Sequence, residues 1–94
     1  MRIVWDETKS RMNLAKHNVS FALACLVFDD PFHLSVQDRF KEGEERWQTV
    51  GRVGDTLLIL VAHTYQDKDG EETVRLISAR RATKQEQRRY EQGS

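Results

Sequence analysis

The longest apolar run in the chain, "TLLILVAHTY" at residues 56–65, constrains the fold more than any other segment. It is far shorter than the roughly 20 residues a membrane span requires, and its aliphatic and aromatic side chains suit a pleated, buried surface. It is the expected central strand of a sheet. The neighbouring segments supply the other strands. "FHLSVQD" at 32–38 alternates apolar and polar residues, as a half-buried strand does. "ERWQTVGRV" at 45–53 is separated from the central run by Gly54-Asp55, and "QDKDGEE" at 66–72 predicts a hairpin turn around Gly70. A last strand is expected from Thr73 to about Arg80, and "RIVW" at 2–5 reads as a short first one. Closely spaced strands joined by turns predict an antiparallel sheet.

Helices flank these strands. Asp6 is placed to cap a polar helix through about Lys16, because its carboxylate can accept bonds from the free amides of the first turn. "HN" breaks that helix, and Ser20 caps a second, "FALACLVF", which is apolar nearly all round and therefore buried. "DDP" ends it, since the residue before Pro31 is pushed out of helical geometry. After the last strand, Thr83 and Glu86 stand three apart as a capping box for a terminal helix, with Tyr90 expected to pin it down. The expected class is α+β: an antiparallel sheet with two N-terminal helices and one C-terminal helix. At 94 residues the chain makes one domain, 1–94, with a small core.

The formal net charge is zero, but its distribution is uneven. Residues 31–72 hold five basic and nine acidic side chains, whereas residues 73–94 hold six basic and two acidic, a swing from −4 to +4. Lys84 and Arg88 lie one turn apart on the terminal helix, with Arg89 beside them, and like charges at that spacing cost rather than stabilise. The segment is therefore read as a docking surface for something negatively charged; the alternative is a solvated face neutralised by the acidic loops. Arg80 and Arg81 precede the cap, and strand alternation sends them to opposite faces.

Many chemistries lack their signatures here. There is no phosphate-binding glycine loop, no HExxH and no GxSxG. The single cysteine, Cys25, lies in an apolar surrounding that suits packing more than reactivity. His17, His33 and His63 have no metal-ligand spacing, so neither a metal site nor a cofactor is expected. "DKDG" is a turn, not a calcium loop. The N-terminus lacks a hydrophobic signal core, which predicts a cytoplasmic protein, and no membrane partner is expected.

What remains suits metal-free RNA cleavage. The 2′-hydroxyl can itself attack phosphorus, so the protein need only align the strand, move protons and neutralise charge. Arginine matches phosphate oxygens in pairs and keeps its charge, and histidine titrates near cellular pH. His63 is either a core-edge histidine bonded to backbone or a proton carrier. His17 is either a helix-end cap or a proton carrier, and the helix dipole favours its charged form. Trp5 and Trp47 read as core. Glu45 and Arg46 place opposite charges on opposite faces of their strand.

The blocks "WDETKSRMNLAKHNVSF", "VFDDP", "GEERWQTVGRV" and "VRLISARRATKQEQRRYE" together resemble the BrnT family, toxins of bacterial type II toxin–antitoxin pairs. The likeness runs from Ile3 to Glu91, and the order of blocks carries it more than any one of them. Asn18 stands where the family pattern has glycine, a mild change because asparagine tolerates left-handed geometry. The resemblance implies a RelE-like ribonuclease fold, growth arrest through RNA cleavage, and neutralisation by a cognate BrnA-type antitoxin. DNA would be reached only indirectly, through that antitoxin. The matched polar positions are Lys9, His17, Glu45, Arg46, Arg80 and Arg81. The expected catalytic set is His17, Arg46, His63, Arg80 and Arg81, with Lys9, Lys84, Arg88 and Arg89 gripping RNA. The competing expectation is a non-catalytic module that binds nucleic acid or antitoxin.

Overall fold

The computed structural model describes residues 1–93, apart from the Lys68 side chain; Ser94, the last position of the expected domain, lies outside the described residues. β1 (Arg2–Val4) leads into α1 (Glu7–His17), a short α2 (Phe21–Ala24) and a 3₁₀ turn (Cys25–Asp29). Four strands follow: β2 (Leu34–Lys41), β3 (Glu44–Val53), β4 (Leu57–Lys68) and β5 (Glu71–Arg81), and α3 (Lys84–Gln92) closes the fold. The sheet order is β1-β5-β4-β3-β2, so the apolar run is indeed the central strand. All pairings are antiparallel except β1 with β5, which is parallel and sets Ile3 beside Val74.

The predicted caps form. Asp6 accepts from the Thr8 and Lys9 amides, Ser20 from Leu23, and Thr83 and Glu86 make the reciprocal capping box. Asn18 ends α1 at φ 60°, the left-handed conformation anticipated for it. The second helix differs from expectation. It tightens into 3₁₀ geometry after Ala24, and this turn lies on β3 at Gly51. A Cβ on Gly51 would come within 2.8 Å of Val27, so only glycine permits that approach.

Two cores form, one on each face of the sheet. The larger buries Phe21, Ala24, Val27, Ile59, Val61, Val74 and Leu76 under α1, α2 and the 3₁₀ turn. The smaller, on the opposite face, joins Val50, Leu60, Ala82 and Tyr90 under α3. The Tyr90 hydroxyl donates to Asp30 Oδ2 at 2.6 Å, and Asp30 also accepts from the Arg52 and Phe32 amides. Tyr90 thus pins α3 through both its ring and its hydroxyl. On the other side, buried Asn13 donates to the carbonyls of Val19 and Ala79 and accepts from the Ala79 amide, fastening α1 to the edge of β5. No described helix is long and apolar enough to cross a membrane.

Candidate active site

α3 covers only one end of its face of the sheet, and the rest is open. Residues directly opposite on antiparallel strands point to the same side, so the register identifies what lines this surface. Arg80 is opposite Leu60, Ser78 opposite Ala62 and Arg75 opposite Thr64. Gln48 is opposite both Ala62 and Val36, and Arg39 is opposite Arg46. Arg39, Arg46, Arg75 and Arg80 thus share one face. Arg39 and Arg46 stand directly across from each other, an arrangement that costs stability.

A β-bulge brings the β5 arginines into phase. Ala62 pairs with Ser78 and His63 with Leu76, leaving Ile77 as an extra residue. Simple alternation would send Arg75 to the side away from Arg80. The extra residue restores them to the same side and leaves Val74, Leu76 and Ala79 in the larger core.

Two carboxylates order the arginines. Arg75 Nη2 donates to both oxygens of Glu44 at 2.9 Å, and Arg80 reaches Glu86 with both terminal nitrogens at 2.8 and 3.0 Å. Each bond from an arginine holds its carboxyl below the usual glutamate range, so both stay ionised at neutral pH. Glu86 is also held by the Thr83 amide, which leaves it structurally committed. Glu44 has only Arg75 and a long bond from Gln66 at 3.4 Å. Arg46 Nε and the Thr64 hydroxyl are enclosed on this face and have no hydrogen-bond partner among the described residues. Unpaired enclosed polar atoms are costly and rare. A third such atom, His63 Nδ1, is sealed in the core of the other face.

The expected catalytic set does not come together as one group. Arg46 and Arg80 are on the open face, but Arg81 is opposite Ile59 and exposed on the helix-covered side. His63 is the main correction. It is fully buried on the helix-covered face, joined to the Thr49 hydroxyl at 2.6 Å and packed edge-on against Phe28 and Tyr65. Burial pushes its imidazole down to about 4, so it is a neutral core residue without access to the arginines. His17 and Lys9 lie on α1 along the β5 edge, and Glu45 is exposed on the side away from Arg46. Lys84, Arg88 and Arg89 are exposed on α3, the helix that borders the open face. Among the described residues, no histidine lies on the open face.

Sequence reasoning missed Arg39, Arg75, Glu44 and Thr64. The signal for Arg75 was available: core residues at Val74, Leu76 and Ala79 require a three-residue step, which is the mark of a bulge.

Comparisons with known proteins identify the family. Residues 5–86 match the family model described as the ribonuclease toxin BrnT of type II toxin–antitoxin systems. The chain belongs to the BrnT family. A crystal structure of the Brucella abortus ribonuclease toxin BrnT superposes with a TM-score of 0.62 at 29% identity, over 89% of this chain and 99% of that one. A search of curated proteins gave no match. BrnT membership makes the chain a ribonuclease toxin and implies a protein antitoxin as its partner.

Proposed function

We propose that this BrnT-family toxin cleaves RNA on the open face of its sheet, without a metal ion, by attack of the 2′-hydroxyl on the adjacent phosphate. The observation that carries this is Arg46 and Arg75 on one open face with two enclosed, unpartnered polar atoms, Arg46 Nε and Thr64 Oγ1, and Arg80 further along the same face. Guanidinium groups fixed in place stabilise the extra charge of the phosphorane without reorganising at the moment of reaction. A phosphodiester seated on Arg75 draws that guanidinium away from Glu44. The freed carboxylate then accepts the 2′-hydroxyl proton as O2′ bonds to phosphorus. The bond from phosphorus to O5′ breaks, and the departing oxygen takes a proton from water, leaving a 2′,3′-cyclic phosphate and a 5′-hydroxyl.

Glu44 takes the proton-accepting role assigned earlier to histidine because it is the ionised group on this face with the fewest other commitments. Lys84, Arg88 and Arg89 extend the positive surface along α3, where they hold the flanking backbone by charge. The cytoplasm, where its RNA targets lie, is the setting for this toxin, with a BrnA-type protein as the antitoxin.

Incubating the purified toxin with RNA in excess EDTA, and analysing the product ends by mass, tests the scheme. Cleavage with 2′,3′-cyclic phosphate ends is expected. A strict metal requirement, or 5′-phosphate products, would refute the chemistry, and retention of RNA without cleavage would leave only a binding module.

A further inference from the structure

Helix α1 turns Ser10 and Asn13 inward, where they bond α2 and the edge of β5. The adjoining stripe of the helix is Lys9, Met12 and Lys16, three to four positions apart and therefore on one side. Met12 is 66% exposed between the two lysines. Opposite this stripe lies the β5 bulge with Ile77. Between them runs a groove of about 540 Å³ whose floor is Met12, Ala15 and Ile77, with Lys9, Lys16 and His17 among its walls. No carboxylate lines it, and none of those three cations forms an ion pair among the described residues.

We infer that this groove is the anchoring site for an acidic segment of the protein antitoxin, one that seats an apolar side chain on Met12 and Ile77 and sets its carboxylates against Lys9 and Lys16. This rests on the antitoxin that family membership implies and does not depend on the catalytic assignments. The chemistry of the floor selects a peptide over RNA. A phosphodiester gains nothing from a methionine, an alanine and an isoleucine, and no Phe, Tyr or Trp is present to stack a base. The arginines that suit phosphate are on the open face. Methionine adapts to whatever apolar group it meets, and lysine stems cover apolar surface while their charges stay at the rim.

The location explains how one anchor inhibits the enzyme. Ser78 lines the groove and also belongs to the open face, two residues from Arg80 along β5, a span of about 7 Å. A chain seated on Met12 and Ile77 and continuing past Ser78 lies over Arg80 and blocks the phosphate site. The anchor itself uses no residue of the cleavage chemistry.

The test measures binding of the antitoxin encoded beside the toxin gene, by calorimetry without RNA, to the wild-type toxin and to Met12→Asp, Lys16→Glu and the double variant. These positions are exposed, so the fold is expected to survive, as circular dichroism will check. The double variant should lose about 30-fold or more in antitoxin affinity, while its RNA cleavage stays within about twofold of wild type. Affinity within twofold of wild type in every variant would overturn the inference. Unchanged antitoxin affinity with reduced cleavage would instead assign the groove to RNA. A wild-type toxin that binds no antitoxin would overturn the partner assignment itself, and that failure is distinguishable from the others.

Discussion

The two faces of the sheet use similar residue types for opposite purposes. On the helix-covered face, His63 Nε2, Thr49 and Ser35 form a chain of hydrogen bonds at 2.6 and 2.7 Å, sealed by Phe28 and Tyr65, while His63 Nδ1 is buried there without a partner. On the open face, Arg46 and Thr64 are enclosed without partners, and Arg75 and Arg80 are held by single carboxylates. Polar groups that satisfy one another stabilise a fold. Groups that lack partners, or hold them loosely, are available to a substrate, and their cost falls on stability. His63 has the chemistry of a catalyst but the surroundings of a core residue.

The sharpest way to break this contrast is to remove one residue from each side. Arg75→Ala is expected to lower RNA cleavage about 10²- to 10³-fold while moving the melting temperature little, as paired activity and thermal-melt measurements will show. His63→Ala should do the reverse. It deletes a fully buried side chain and leaves the Thr49 hydroxyl short of a partner, at a cost of about 3 kcal/mol in urea unfolding. Activity per folded molecule should stay near wild type; a large specific loss would return His63 to the catalytic set.

Titration separates the faces in another way. His63 titrates near 4 in the folded state but near 6.5 when unfolded, so as pH falls the unfolded chain binds the proton first. Its contribution is fully present above pH 6.5 and is lost as pH falls towards 4. Unfolding free energy should drop by about 2 kcal/mol between pH 7.5 and pH 5 from this group, and His63→Ala should flatten that part of the profile.

Smaller changes sharpen the account of α3. Tyr90→Phe removes the bond to Asp30 and should cost about 1.5 kcal/mol, read by denaturant midpoint. Reversing Arg88 and Arg89 to glutamate should weaken RNA binding only about threefold and reduce its salt dependence, with turnover of saturating RNA unchanged.

Much of the fold was legible because local rules agree with the final structure. Asp6, Ser20 and the Thr83–Glu86 box mark helix starts, and the apolar run is the middle strand. The parallel pairing of β1 was not legible, since antiparallel spacing says nothing about a strand joined by a long connection. Alternation was enough to send Arg80 and Arg81 to opposite faces, and Glu45 and Arg46 likewise, but not to say which of each pair faces the open side. Arg75 was lost because the bulge at Ile77 shifts the phase of β5. Of the two readings of His63 the structure favours the core residue, a choice the sequence left open because its burial involves Phe28, a residue 35 positions away that the chain brings over it only when folded.

The parallel pairing of β1 with β5 has a consequence for the order in which the sheet assembles. Residues 2–4 find their strand partner only at residues 73–75, so a growing polypeptide holds its first strand idle until those residues have emerged. The same late segment delivers Arg75 to Glu44, which lies 31 positions earlier. No segment that stops short of residue 75 can therefore assemble this face of the sheet.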